Sequence, residues 1–239
     1  MNILKKIYLK IKIEIVFLLE HKYGFIKSRD IYSFPKFKIK NLLPPNPVII
    51  DCGSHLGTDS IQFSKLIPSA TIHSFEAAPI IFEKLKKNVR KYKNINCYPL
   101  ALSNKNGQAE FFISSGDSDG SSSLLEPSEH LETHPTVFFN EKIIVDTITL
   151  DDWALKNNIT SVDLLWLDMQ GFEMQMLQAS KNIINTVKVI HAEVSLKETY
   201  KGVVPYMKFR FWLESIGFKI VEEALPTGTD MGNVLFCRK

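Results

Sequence analysis

The sequence is poor in cysteine and has no long apolar run. Its three cysteines, Cys52, Cys97 and Cys237, form no close pair and no cluster with histidine. Such spacing offers neither a disulfide framework nor the ligands of a zinc site, so we expect a reducing, cytoplasmic environment. The first twenty residues lack the small-residue cleavage site of a signal peptide, and we expect no cleaved leader. Their longest apolar stretch, residues 15–19, is far below the roughly 20 residues of a membrane-spanning helix.

Positive charge is concentrated near the N-terminus. The 239 residues carry a formal net charge of +3, but residues 1–44 hold ten basic and three acidic side chains, whereas the remaining 195 residues hold 19 basic and 23 acidic ones. Apolar residues at positions 4, 8, 11, 15 and 18 recur at helical spacing, which predicts a basic amphipathic helix. This helix suits packing on its own domain, on a partner or, through residues 1–20, on the anionic inner face of a membrane.

Residues 45–239 form one predicted α/β domain, separated from the basic helical extension of residues 1–44 by a proline-rich break. Short apolar runs alternate with helical patterns along this domain. The predicted strands are 48–51, 71–76, 96–102, 162–168, 187–194, 218–222 and 233–237, with further β segments at 109–113 and 143–148. The alternation predicts a mainly parallel seven-stranded sheet with helices on both faces, and the last two strands predict a C-terminal antiparallel hairpin at one edge.

Carboxylates follow four of the five predicted parallel strands. They are Asp51, Glu76, Asp168 and Glu193, while residues 101–103 end the third strand. In an open parallel sheet, ligands bind outside the carboxyl ends of the strands. We therefore expect a cleft at this edge, with an acidic rim that suits a cationic ligand.

The first strand ends in a glycine turn, Asp51-Cys52-Gly53-Ser54-His55-Leu56-Gly57. Its two glycines permit a tight strand-to-helix turn and close approach of a ligand to the backbone. His55 stands where the dinucleotide fingerprint requires its second glycine, which argues against a nicotinamide enzyme. Glu76 follows Asp51 by 25 residues, and an acid about 20 residues beyond such a turn accepts ribose hydroxyls. These features predict a cationic, ribose-bearing ligand such as S-adenosylmethionine.

Several motifs follow one another in order along the domain. They are Asp51-x-Gly53-x-x-x-Gly57, Phe75-Glu76-Ala77-Ala78-Pro79, Ala101-Leu102-Ser103 with Gly107, Gly120-Ser121-Ser122-Ser123-Leu124, Thr147-x-x-Leu150-Asp151, and Asp163-Leu164-Leu165-Trp166-Leu167-Asp168-x-x-Gly171-x-Glu173. By these motifs the chain resembles the FkbM family of S-adenosylmethionine-dependent methyltransferases over about four-fifths of its length. The resemblance implies a Rossmann-like class I methyltransferase fold and transfer to a hydroxyl oxygen of a sugar, glycolipid, polysaccharide or polyketide-type acceptor. The chain departs from the family pattern at Ala77, commonly proline, and at Met169-Gln170, commonly an aliphatic residue and an acid.

Candidate site residues lie at the predicted strand ends. The predicted cofactor contacts are Asp51, Gly53, Ser54, His55, Gly57, Glu76, Ala77, Ala101, Leu102 and Ser103. Asp168 is the first candidate for the base that takes the acceptor's proton; its alternative role is a structural anchor of the following turn. Glu193 and His191 share one face of the fifth strand and are further catalytic candidates, although a lone strand histidine is more often a core residue.

Two features allow more than one interpretation. Asp168, Glu173 and Glu193 could together bind Mg²⁺, but nothing in their spacing requires a metal. The serine-rich loop over residues 114–123 is either a lid that closes over the acceptor or a solvated connection.

The sequence therefore predicts an S-adenosylmethionine-dependent O-methyltransferase acting on a sugar, a glycan or a related small molecule. One alternative is a nucleic-acid methyltransferase or binding module that uses the basic N-terminus, and another is a nucleotide-dependent dehydrogenase. We expect no nucleic-acid partner, because the domain is acidic and lacks a clustered arginine and aromatic pattern. The sequence leaves the acceptor's identity and the oligomeric state open.

Overall fold

The structure of the protein, a computed structural model, describes residues 36–239. The predicted amphipathic helix over residues 1–20 lies outside these residues. The helices are α1 Lys36–Lys40, α2 Thr58–Leu66, α3 Pro79–Val89, α4 His130–Thr133, α5 Leu150–Lys156, α6 Glu173–Ala179 and α7 Tyr206–Ser215, with a 3-10 turn at Ile183–Thr186. Among residues 36–239, no helix is both long and apolar enough to cross a membrane.

Within residues 36–239, ten strands form two sheets. The strands are β1 Val48–Cys52, β2 Thr71–Phe75, β3 Ile95–Tyr98, β4 Ala101–Leu102, β5 Gly107–Gly116, β6 Val137–Ile148, β7 Leu164–Leu167, β8 Val189–Ser195, β9 Phe218–Ala224 and β10 Met231–Arg238. Seven of them form the main sheet in the order β3-β2-β1-β7-β8-β10-β9. The first five strands of that order are parallel, and β10 runs antiparallel to both of its neighbours. The predicted sheet and its C-terminal antiparallel hairpin are confirmed.

The chain between β3 and α5 departs from the prediction. A single strand over residues 96–102 is wrong, because the chain leaves the main sheet after Tyr98 and β4 pairs with β6 instead. Pro99 has no backbone donor for a continued ladder, which fits a break at this point. Strands β4, β6 and β5 form a separate three-stranded sheet in that order. Strands β5 and β6 are longer than the predicted segments, so residues 114–116 of the serine-rich segment belong to β5. Residues 117–136, which contain the rest of that segment and α4, connect the two strands.

Helices cover both faces of the main sheet, as predicted. On one face, Trp153 of α5 is 1% exposed and packs edge-on against Phe75 and Tyr98, with ring centroids 5.1 and 5.3 Å apart. On the other face, Phe63 of α2 packs edge-on against Trp166 of β7 at 5.3 Å. Apolar residues on alternate strand positions therefore fill two separate cores, one on each side of the sheet.

Residues 36–43 pack as part of the domain, although they precede the predicted boundary at residue 45. Ile39 is fully buried, and Leu42 and Leu43 pack against the same core. The Lys36 ammonium group pairs with Asp59 of α2 and lies 4.4 Å from the Trp166 ring centroid. The buried cation is thus stabilised by a carboxylate and by an aromatic face. The extension's own character before residue 36 stays a prediction.

Replacing Trp153 tests the core beneath the site. We expect Trp153→Ala to lower the free energy of unfolding by about 3 kcal/mol or more, because it leaves a large cavity against β2 and β3. Leu155→Ala in the same helix is the matched control, since Leu155 is 77% exposed and surface changes cost roughly 0.5 kcal/mol or less. Urea unfolding of both variants measures the difference. Equal small losses would contradict this packing.

Candidate active site

A cavity of about 590 Å³, partly open to solvent, lies at the carboxyl ends of β1, β2 and β7. Six of the ten predicted cofactor contacts line it, namely Gly53, His55, Glu76, Ala77, Ala101 and Leu102. Asp168, the first catalytic candidate, also lines the cavity. A cavity therefore lies at the carboxyl edge of the parallel strands, where the sequence predicts a cleft.

The glycine turn lies directly against the end of β7. Gly53 has φ +81°, and a Cβ atom at this position would lie 1.9 Å from the Asp168 carbonyl oxygen. Gly57 has φ +80°, and a Cβ atom there would lie 2.5 Å from Cδ1 of Leu85 in α3. Both positions therefore require glycine for close approach as well as for the left-handed backbone. The turn brings the backbone at residue 53 to the cavity wall.

Four predicted cofactor contacts do not line the cavity, namely Asp51, Ser54, Gly57 and Ser103. The Asp51 carboxylate is buried beneath the turn and accepts a 2.5 Å hydrogen bond from the Ser60 hydroxyl of α2. Burial raises the pKa of Asp51, and the nearby Asp59 raises it further. Ser54 donates its hydroxyl to the Asp51 carbonyl at 2.8 Å. These groups hold the turn in place.

Glu76 joins two turns at the cavity floor. Its Oε2 accepts the His55 amide at 3.0 Å, and its Oε1 accepts the Ala78 amide at 2.8 Å. Burial raises the pKa of Glu76, and these two backbone hydrogen bonds act in the opposite direction. Each carboxylate oxygen has a second lone pair, so the side chain can still accept ligand hydroxyl groups.

The serine-rich loop forms one wall of the cavity. Asp119, Gly120 and Ser122 of the loop line the cavity, as does Leu124 directly after the loop. Asp119 Oδ1 lies 2.8 Å from Nε2 of His55 in the glycine turn. Partial burial opposes ionisation of Asp119, but His55 and Lys84 outweigh it and lower the pKa. Sequence reasoning named this segment as a possible lid but did not assign Asp119 to the site. Closure of the loop over an acceptor stays a prediction.

Gln170, which sequence reasoning did not assign to the site, connects two of the catalytic candidates. Its Nε2 lies 2.7 Å from Asp168 Oδ1 and 2.7 Å from Glu193 Oε2. The Gln170 amide group therefore separates Glu193 from Asp168, which lines the cavity. Burial raises the pKa of Asp168, whereas the hydrogen bond from Gln170 opposes that rise. The only sequence signal for Gln170 was its departure from the family pattern.

His191 lies in the core, away from the cavity. It is 3% exposed and stacks on Trp166, with ring centroids 3.6 Å apart and planes 9° apart. Burial lowers its pKa well below the ordinary value. His191 shares a strand face with Glu193 but precedes it by two residues, roughly 7 Å along the strand. The burial of His191, its stacking on Trp166 and its absence from the cavity lining support a core role.

Glu173 is turned towards backbone amides at the start of α6. Its Oε1 accepts the Met169 amide at 2.8 Å and the Gly171 amide at 3.3 Å. The amide group of Gln170 lies between the other two carboxylates of the possible Mg²⁺ set. Within residues 36–239, no group of three or more histidine, cysteine, aspartate or glutamate side chains is arranged to hold a metal ion.

Comparison with known proteins identifies the family. Residues 51–220 match the family model of the methyltransferase FkbM domain. The chain belongs to the FkbM methyltransferase family. A relative, the 2-O-methyltransferase NoeI of Sinorhizobium fredii, is 33% identical over 223 residues, which cover 91% of this chain and 90% of that one. This FkbM protein is an S-adenosylmethionine-dependent methyltransferase, and the dehydrogenase alternative does not fit the family.

Solved structures agree on the fold. The precorrin-6y C5,15-methyltransferase of Geobacter metallireducens gives a TM-score of 0.50 at 13% identity, covering 90% of this chain and 93% of that one. A fibrillarin/Nop5p complex gives a TM-score of 0.50 at 17% identity, covering 82% and 75% respectively. Likeness at these identities shows the fold alone. The Rossmann-like methyltransferase fold expected for an FkbM protein is confirmed.

Enlarging Gly53 tests the contact between the glycine turn and β7. We expect Gly53→Ala to weaken S-adenosylhomocysteine binding at least about tenfold, because the new methyl group displaces either the turn or the Asp168 carbonyl. Gly228→Ala is the matched control, since Gly228 has φ +84° but no atom within 4 Å of an added Cβ. Calorimetry measures both affinities. Similar affinities of the two variants would show that the close contact does not matter for binding.

The buried carboxyl of Glu173 predicts a pH-dependent stability. Burial raises the pKa of Glu173 from 4.5 to about 7, so its contribution to stability is fully present below pH 4.5 and is lost as the pH rises through 7. We expect the free energy of unfolding of the wild type, minus that of Glu173→Gln, to fall by roughly 3 kcal/mol between pH 4 and pH 8.

Urea unfolding at a series of pH values measures this difference. Glu83→Gln is the control, because Glu83 is an exposed glutamate on α3. A difference between wild type and Glu173→Gln that stays constant with pH would contradict a protonated, buried Glu173.

Proposed function

We propose that this methyltransferase transfers a methyl group from S-adenosylmethionine to a hydroxyl oxygen of a sugar, a glycan or a related small molecule. The observation that carries the proposal is the position of Asp168, which lines the cavity at the end of β7 beside the glycine turn. The relative NoeI is a 2-O-methyltransferase, which supports oxygen as the methylated atom.

The cavity residues fit the cofactor. The backbone at Gly53 and the carboxylate of Glu76 lie on its wall and floor, where they would contact the nucleoside part and accept its ribose hydroxyls. Asp119 and Asp168 add carboxylates to the lining, which suits a cationic ligand. The bound cofactor supplies an electrophilic methyl group on a sulfonium. The protein's main task is then alignment of the acceptor oxygen with that group.

Asp168 is the proposed base. Methyl transfer from the cofactor would release a neutral thioether that needs no proton, so the protein would have to accept only the proton of the acceptor hydroxyl. The proton of the acceptor hydroxyl passes to the Asp168 carboxylate. Hydrogen bonding from Gln170 favours the charged form of Asp168, and burial raises its pKa towards the working range of a base.

An uncharged or weakly charged acceptor fits the charge distribution better than a nucleic acid. Residues 45–239 carry 19 basic and 23 acidic side chains, whereas nucleic-acid affinity depends on many contacts from lysine and arginine to phosphates. The fibrillarin likeness shows the fold alone and does not change this preference. Peripheral membrane contact through residues 1–20 stays a prediction outside the described part of the chain.

Asp168→Asn tests the proposed base. We expect turnover to fall about 100-fold or more, while the Kd for S-adenosylhomocysteine changes less than about threefold, because asparagine keeps the shape but cannot accept the proton. Calorimetry and methyl transfer to a carbohydrate panel measure the two quantities. Asp146→Asn, an exposed change on β6, is the control. Equal losses of binding and turnover would mark Asp168 as a cofactor or structural residue, and transfer to no hydroxyl acceptor would contradict the function.

A further inference from the structure

We propose that Gln170 is a positioning residue that holds the carboxyls of Asp168 and Glu193 in their working arrangement and connects them to the serine-rich loop. The inference rests on the proposed function, in which Asp168 is the base. Gln170 does not line the cavity, so it acts through its neighbours.

Both the nitrogen and the oxygen of the Gln170 side-chain amide have hydrogen-bond partners. Its two N–H donors meet one carboxylate each, Asp168 Oδ1 and Glu193 Oε2, both at 2.7 Å. Its Oε1 lies 3.0 Å from the Tyr200 hydroxyl, which donates to it. Carboxylates accept and a phenol donates, so the neighbours fix the orientation of the amide. Gln170 therefore lies between the two carboxyls and donates to both of them.

The backbone of Gln170 is held in a conformation that few residues with a side chain adopt. Gln170 has φ +52° and is 8% exposed. Its carbonyl accepts a 2.8 Å hydrogen bond from the hydroxyl of Ser123, which is completely buried. A left-handed, non-glycine residue persists only where its surroundings compensate for the strain. Here the surroundings are the loop on one side and the two carboxyls on the other.

Tyr200 connects the same amide to the cavity wall. It is completely buried, and its hydroxyl lies 2.7 Å from the Ser121 carbonyl as well as 3.0 Å from Gln170. Ser122 and Leu124, which flank the bonded serines, line the cavity. A phenol has one proton for these two carbonyl oxygens. A shift of the loop therefore changes the support that Tyr200 gives to the Gln170 amide and, through it, to Asp168.

A substitution of similar size separates positioning from simple packing. Gln170→Met removes both donors and keeps the length of the side chain. We expect this variant to lose turnover about 100-fold, with the KM for S-adenosylmethionine and the Kd for S-adenosylhomocysteine within about twofold of wild type. Gln178→Met, at an exposed position of α6, is the matched control and should behave as wild type.

A second readout needs no acceptor. In ¹³C-labelled protein, we expect the titration midpoint of the Asp168 carboxyl to move to higher pH by about 1 unit in Gln170→Met, because the charged form loses a donor. Tyr200→Phe should cause a smaller shift in the same direction. If Tyr200→Phe has no effect, the connection to the loop is wrong.

The outcomes distinguish this inference from the proposed function. A wild-type titration midpoint in a folded Gln170→Met variant would overturn the positioning role, and so would a wild-type kcat. A variant with a lower melting temperature, weaker cofactor binding and an unmoved midpoint would assign Gln170 to packing alone. If no hydroxyl acceptor is methylated by the wild type, the proposed function fails, and the titration still decides whether Gln170 acts on Asp168.

Discussion

The close contact between the glycine turn and the end of β7 is the constraint on which the site depends. Gly53 approaches the Asp168 carbonyl so closely that a Cβ atom would overlap it, and the Asp168 amide donates to the Cys52 carbonyl at 3.0 Å. The glycine turn and the proposed base, Asp168, are therefore parts of one backbone arrangement. Neither can move far without the other, and this rigidity suits a reaction in which alignment supplies most of the catalysis.

Buried carboxylates do much of the structural work around this contact. Glu76 and Glu173 each accept two backbone amides and so fix the turns after β2 and β7. Asp51 accepts the hydroxyl of Ser60, which in turn contacts Ser74. Hydrogen bonds from these partners offset part of the cost of burying the carboxyl groups, and the raised pKa values of all three show the part that remains. A carboxyl group at a strand end can therefore hold the backbone of a turn in place as well as attract a cation.

The second sheet brings a distant part of the chain to the cavity. Strands β5 and β6 carry the serine-rich loop across to the glycine turn, where Asp119 meets His55. The same loop contacts Gln170 and Tyr200 through Ser123 and Ser121. One cavity wall thus depends on an element outside the main sheet, which is where acceptor specificity commonly varies among enzymes that share a fold.

Local sequence patterns were enough to predict the alternating strands and helices, the parallel sheet with its terminal hairpin, and the glycine turn with Glu76, because periodicity and turn chemistry are local. It did not show that the chain leaves the main sheet after Tyr98. Local patterns also do not show how far along a strand the site extends. Glu193 contacts Gln170 behind the cavity wall, whereas His191 stacks on Trp166 in the core, although both lie on one face of β8. The positions of Asp51 beneath the turn and of Gln170 between two carboxyls became visible in the three-dimensional structure. Those roles depend on which distant segments pack together, and long-range packing leaves no periodic signal in a single sequence.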